Sequence, residues 1–230
     1  MENELILYAF LGGVLPTIFW LWFWLKEDKL HPEPKKYIAY SFVFGIFSAM
    51  LVLPFEELIV KIVPGTGLLT IALLASSEEL FKYYGAYFSA LTKKYMDEPI
   101  DAVIYLITVA LGFAALENSL FLINAIKSVG VELNHLMLVG NMRFIGATLL
   151  HTLCSGIIGL FIALSFYKRK VIKKRYLLTG FILSAALHTF FNFFIIKSGS
   201  QIFIVFLAIW VAIIIMILLI EKVKHMRART

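Results

Sequence analysis

Four short segments of this sequence place groups able to do chemistry inside apolar surroundings: Ser76-Ser77-Glu78-Glu79-Leu80-Phe81-Lys82, Gly112-Phe113-Ala114-Ala115-Leu116-Glu117-Asn118, Arg143 with His151, and His188-Thr189-Phe190-Phe191-Asn192. An ionisable side chain in a membrane span costs about 2.5 to 3.5 kcal/mol on insertion scales, which makes each a functional hypothesis by default. Glu78 and Lys82 are four residues apart and share a helix face, as do His188 and Asn192, whereas Glu79 points about 100° away from Glu78. With the three glutamates and Lys82 ionised and both histidines neutral, the net charge is −2. Hydrocarbon cannot hold that bare. A divalent cation bound by carboxylate and imidazole neutralises it and lowers the pKa of a bound water to about 7. Alternatively, one glutamate holds a proton, through desolvation and a like-charged neighbour, and acts on water as general acid or base. Either arrangement activates water, and His188 and Asn192 could instead donate to a developing oxyanion.

The elements that position these groups follow from composition. Of 230 residues, 61% are apolar and 16% charged, with mean hydropathy +0.89, far from the roughly 25% charge of soluble domains. A water-soluble globule and a disordered chain are both excluded. Cys154 is the single cysteine, so no intrachain disulfide or multi-cysteine zinc site can form. About 20 apolar residues cross the bilayer as a helix, and seven stretches qualify: about 5 to 25, 37 to 53, 67 to 91, 100 to 126, 141 to 167, 176 to 196 and 201 to 220, with bounds good to about 2 to 4 residues. His31-Pro32-Glu33-Pro34, Pro54, Pro64-Gly65-Thr66-Gly67, Asp97-Glu98-Pro99, a polar stretch around Asn134, a basic run and Ser198-Gly199-Ser200 punctuate them. The expected architecture is an all-α, polytopic membrane bundle forming a single domain over 1–230. Its first span, preceded by Glu2 and Glu4, reads as a retained anchor rather than a signal peptide.

Lys and Arg fall unevenly between the spans. Sixteen of the 21 lie in the first, third and fifth loops and the tail, only Lys61, Lys127 and Lys197 lie opposite, and Lys82 and Arg143 are intramembrane. This bias predicts an outside N-terminus and a cytoplasmic C-terminus. It also accounts for the net charge of +6 as topogenic, so nucleic acid is not an expected partner and the lipid bilayer is.

Counted from the outer end of each span, Glu78 lies about 11 residues deep, Glu117 about 10, His151 about 11 and His188 about 9, which is roughly 13 to 17 Å at about 1.5 Å per residue. All four share one layer. Singly, each has a bland reading: Glu78-Glu79 as a clamp closed by Lys82, Glu117-Asn118 as interhelical glue, the histidines as packing groups, Cys154 as a small apolar residue, and Arg143 as a snorkelling one. Together at one depth they point to a common site. Glu56, Glu57 and Asp101 fall near span boundaries and His31, His135 and His225 outside the spans, so these read as solvated.

The ordered set Glu78-Glu79-x-x-Lys82, Phe113-x-x-x-Glu117-Asn118, Arg143 with His151, and His188-x-x-x-Asn192 resembles the PrsW family of intramembrane proteases, a branch of the superfamily that holds the CAAX-processing proteases. The loop patterns His31-Pro32-Glu33-Pro34 and Glu98-Pro99-x-Asp101 are similar to that family as well. The resemblance implies a polytopic enzyme of the prokaryotic cell membrane that hydrolyses a peptide bond of a membrane-anchored protein, an anti-sigma factor in the family's best-known role. It makes Glu78 and Glu79 the essential pair and Glu117, His151 and His188 further active-site groups, with Glu117 standing where CAAX proteases usually carry histidine. Asn192 would orient the carbonyl oxygen, with Lys82, Asn118 and Arg143 supporting. In the metal version, zinc or another divalent ion takes ligands from Glu78, Glu117, His151 and His188; in the metal-free version glutamate alone activates water. Two other classes fit the same residues, a proton or divalent-metal transporter and a non-catalytic membrane scaffold of the same superfamily.

Overall fold

The computed structural model describes residues 2–28, 31–129, 146–197 and 202–226, and among them every regular element is helical. The elements are α1 (Glu2–Leu25), α2 (Lys35–Ile62), α3 (Leu68–Ala86), α4 (Pro99–Val129), α5 (Ala147–Leu164), α6 (Lys170–Lys197) and α7 (Ile202–Lys224). Six of these are long and apolar enough to cross a membrane. The exception is α3, whose 19 residues carry Glu78, Glu79 and Lys82. It passes into a π-helical turn, Tyr87–Leu91, a geometry often found beside functional sites.

Proline and basic residues do not end helices here as they would in water. Although Pro54 reads as the end of the second span, it lies inside α2, which continues to Ile62. Membrane helices tolerate proline because neighbouring groups re-satisfy the freed backbone. Likewise α6 begins at Lys170, inside the basic run, since the exposed heads of Lys173, Lys174 and Arg175 can stay in water. Of the fifth expected span, residues 141–145 lie outside the described residues.

Helix α4 is the pillar of the bundle: 94% of its apolar segment is buried, against 22% for α1 and α7. It packs on α1, α2 and α5, and α5 in turn packs on α6 and α7, while α3 lies against α2 and α6. Tyr105, Ile107, Leu111, Leu149, Leu150 and Leu153 fill the centre, and Leu7, Phe19, Phe47, Leu207 and Leu218 cover the outside. The tightest crossing is α2 on α4. A Cβ on Gly45 would stand 2.1 Å from the Val109 carbonyl oxygen, and one on Gly112 would stand 2.0 Å from that of Phe42. Small residues at reciprocal positions let the two backbones touch, as membrane helix interfaces commonly do.

Two acids read as solvated are not. Asp101 is 1% exposed, and its Oδ2 accepts the backbone N–H groups of Asp97 (2.9 Å) and Glu98 (2.6 Å), satisfying donors at the start of α4. Glu56 is half-buried, because α2 does not stop at Pro54; the adjacent Glu57 is exposed, as expected.

Candidate active site

The packing of α3 against α6 and of α5 against both brings Glu78, Glu79 and Lys82 beside His151 and His188, with Glu117 arriving from α4. Lys82, fully buried, donates to Glu79 Oε1 (2.6 Å) and to His151 Nδ1 (2.8 Å). An ammonium only donates, so Nδ1 of His151 is an acceptor and the ring proton sits on Nε2, which donates to Glu117 Oε2 at 2.5 Å. His188 donates from Nδ1 to Glu79 Oε1 at 2.8 Å, leaving Nε2 with its lone pair. Ser155 donates to the other oxygen of Glu79 at 3.4 Å. The two imidazoles meet edge-on, ring centres 5.3 Å apart, and Phe113 closes over His151 and Lys82.

One atom stands out of this network. Glu78 Oε2 is buried with no hydrogen-bond partner, yet it lies 3.8 Å from each of Lys82 Nζ, His151 Nδ1 and His188 Nε2. A tetrahedral zinc with bonds of about 2.0–2.2 Å sets its ligand atoms about 3.3–3.6 Å apart. Glu78 Oε2 stands slightly wider than that from each nitrogen, at 3.8 Å, and Glu78, His151 and His188 each offer a ligand atom within 4.8 Å of the others. Each imidazole has its far nitrogen held by a carboxylate, Glu79 for His188 and Glu117 for His151, the usual arrangement around metal-bound histidine. The residues therefore fit a divalent ion, which would take the lone pair that Lys82 now uses on His151 and leave the ammonium to Glu79. A second trio, Glu79, Cys154 and His188, is also close together. It fits less well, because diverting Glu79 would strand the buried Lys82 without its counter-ion, a loss of about 3–5 kcal/mol.

The remaining expected residues stand further off. Asn118 donates to Thr148 Oγ1 at 3.0 Å, tying α4 to α5. Asn192, one turn beyond His188, is half-buried. Arg143 lies outside the described residues. Lys82 is nearer to Glu79, three residues away, than to Glu78, four away. Sequence reasoning missed Glu56, which with Glu78 and Glu117 lines a cavity of about 70 Å³ between α2, α3 and α4. The apolar run Leu58-Ile59-Val60 beyond it was the available sign that α2 continues. A larger cleft of about 470 Å³ opens between α1 and α2 near Asp28 and Glu33, and none of the clustered side chains reaches it.

Fold and site together define a class: a polytopic helical membrane protein enclosing a Glu/His centre. A family model described as PrsW family intramembrane metalloprotease matches residues 33–219, and the chain belongs to that family. It is 30% identical over 213 residues to Protease PrsW of Geobacillus kaustophilus, covering 86% of each chain, and 26% identical over 194 residues to Protease PrsW of Bacillus subtilis, covering 84% of each. Protease PrsW of Clostridioides difficile is 24% identical over 129 residues, 54% of each chain. No solved structure matches. The protein is an intramembrane protease of bacterial type, and family membership favours the peptidase over the transporter and the scaffold.

Proposed function

We propose that the protein cuts a membrane-anchored protein, of the anti-sigma-factor kind, within or beside the bilayer, at a centre built by Glu78, His151 and His188. The single observation that carries this is the buried, unpartnered Glu78 Oε2 facing one free nitrogen of each imidazole at 3.8 Å. A divalent ion of the zinc class held there supplies Lewis acidity and a water whose pKa is lowered to about 7. Glu79 orients His188 and keeps Lys82 charged and paired; Glu117 orients His151. Asn192 is placed one turn from His188 to donate to the scissile carbonyl oxygen as charge develops on it, where a dry site makes such a bond strong. The N-terminus faces out and the C-terminus the cytoplasm, on the lysine and arginine bias.

Purified protein reconstituted into vesicles with a membrane-anchored anti-sigma factor tests the reading. Wild type releases a cleaved product; Glu78→Ala and His188→Ala, inserted and helical as wild type, release none and lose bound metal. Cleavage by both variants at the wild-type rate overturns it.

A further inference from the structure

Hydrolysis needs a group that takes a proton from the attacking water and is not already committed. At this site Glu79 Oε1 accepts from Lys82 and His188 and its Oε2 from Ser155, Glu117 Oε2 accepts from His151, and Glu78 Oε2 would be taken by the ion in the proposed centre. Glu56 is different. It lines the same cavity as Glu78 and Glu117, and the rest of the lining, Ala49, Val52, Leu53, Phe113 and Leu120, is apolar. Among the described residues it has no ion pair or hydrogen bond, although a half-buried carboxylate against apolar neighbours is costly to keep. The cavity, about 70 Å³, has room for water. Glu56 is six residues from the end of α2 and Glu78 ten from the start of α3, about 9 Å and 15 Å along the helices at about 1.5 Å per residue. By that count Glu56 stands nearer than Glu78 to the end of the bundle where α2 gives way to α3.

We infer that Glu56 is the proton-transfer residue of the site. This rests on the water-activating reading above. As the water oxygen bonds to the scissile carbonyl carbon, the Glu56 carboxylate takes one water proton and becomes a carboxylic acid. As the carbon–nitrogen bond breaks, it returns that proton to the departing amide nitrogen. The products are an acid and an amine, and Glu56 ends as it began. A positioned general base contributes typically 10²–10⁴-fold.

The test uses full-length protein in vesicles with the cleaved anti-sigma factor as probe, comparing wild type with Glu56→Gln, Glu56→Ala, Glu56→Asp and Glu78→Gln. Glu56→Gln and Glu56→Ala should lower kcat by about 10²–10⁴-fold with KM and bound zinc unchanged and the thermal midpoint no lower than that of wild type. Glu56→Asp should recover part of the rate, and added formate should raise the rate of Glu56→Ala but not of Glu78→Gln. The inference is overturned if Glu56→Gln cleaves near the wild-type rate while Glu78→Gln is dead. It is equally overturned if Glu56→Ala loses zinc, or if its slow rate ignores both formate and the aspartate substitution, since those results make Glu56 a ligand or a packing residue. Full activity in Glu78→Gln would instead bring down the proposed centre itself.

Discussion

An imidazole has two nitrogens, and what holds one decides what the other can do. In His188 the Nδ1 proton is given to Glu79, so Nε2 is turned toward Glu78; in His151 the proton goes from Nε2 to Glu117, so Nδ1 is turned the same way. The two histidines thus use opposite nitrogens yet present them to one carboxylate oxygen. Replacing Glu79 by Gln should weaken zinc binding about 10–100-fold, the usual cost of losing an orienting carboxylate, and also leave Lys82 underpaired. Competition with a chromophoric chelator measures the first effect and a thermal midpoint the second; unchanged zinc affinity would remove Glu79 from any orienting role. Cys154→Ala separates the two candidate donor trios. The thiol is buried beside Glu79 and His188, but the preferred trio does not use it, so zinc affinity and kcat should stay within about two-fold while a small packing loss of about 1 kcal/mol appears.

At the scale of helices, the crossing of α2 on α4 sets how close Glu56 comes to the centre. Cβ atoms at Gly45 or Gly112 would run into backbone carbonyl oxygens at 2.1 and 2.0 Å, and backbone cannot turn aside as a side chain can. Gly112→Ala should therefore push α2 outward, costing about 1–3 kcal/mol. Because α2 carries none of the three donors, zinc binding should survive while cleavage falls by at least about ten-fold, as displacements near 1 Å at a reactive site typically produce. Parallel zinc titration and product release check this; equal loss of both would mean that the crossing holds the whole bundle. The same helix shows where sequence reading gave out. Apolar length located the helices, and the depth count grouped Glu78, Glu117, His151 and His188, side chains that the fold brings side by side, because both depend only on residue spacing along a helix. Pro54 was misleading because its stop rule comes from water, where a broken backbone bond is exposed. The choice of partners, Lys82 with Glu79 rather than Glu78, depends on helix rotation and rotamers, which spacing does not carry.

Across the whole molecule, the bundle is tied at its other end by a group of side chains that includes His31, Glu33 and Glu98, which sequence reading treated as loop punctuation. His31 meets Glu98 at 2.9 Å, Asp28 accepts the Glu33 backbone N–H at 3.2 Å, and Tyr105 of α4 donates to the Glu33 carboxyl group. The turn that follows the first helix is joined to the last helix there as well, by Lys224 donating to Glu27 at 2.6 Å. Burial drives the Glu33 pKa up to about 8, with the nearby acids Asp101 and Asp28 pushing the same way and the Tyr105 hydrogen bond opposing them. A carboxyl group that binds its proton more tightly in the folded than in the unfolded chain favours the fold while it stays protonated. Its contribution is complete below its ordinary value of 4.5, is lost progressively as pH rises toward about 8, and changes no further above that. The thermal midpoint of the wild-type protein should accordingly carry a component that declines over this window and then levels. Glu33→Gln, neutral at every pH and able to accept the same Tyr105 hydrogen bond, should lack that component, so that the variant gains on wild type from pH 5 to 8. Midpoints read by intrinsic fluorescence in detergent at matched ionic strength decide it. Parallel curves for the two proteins would show that Glu33 releases its proton as readily in the fold as in the unfolded chain.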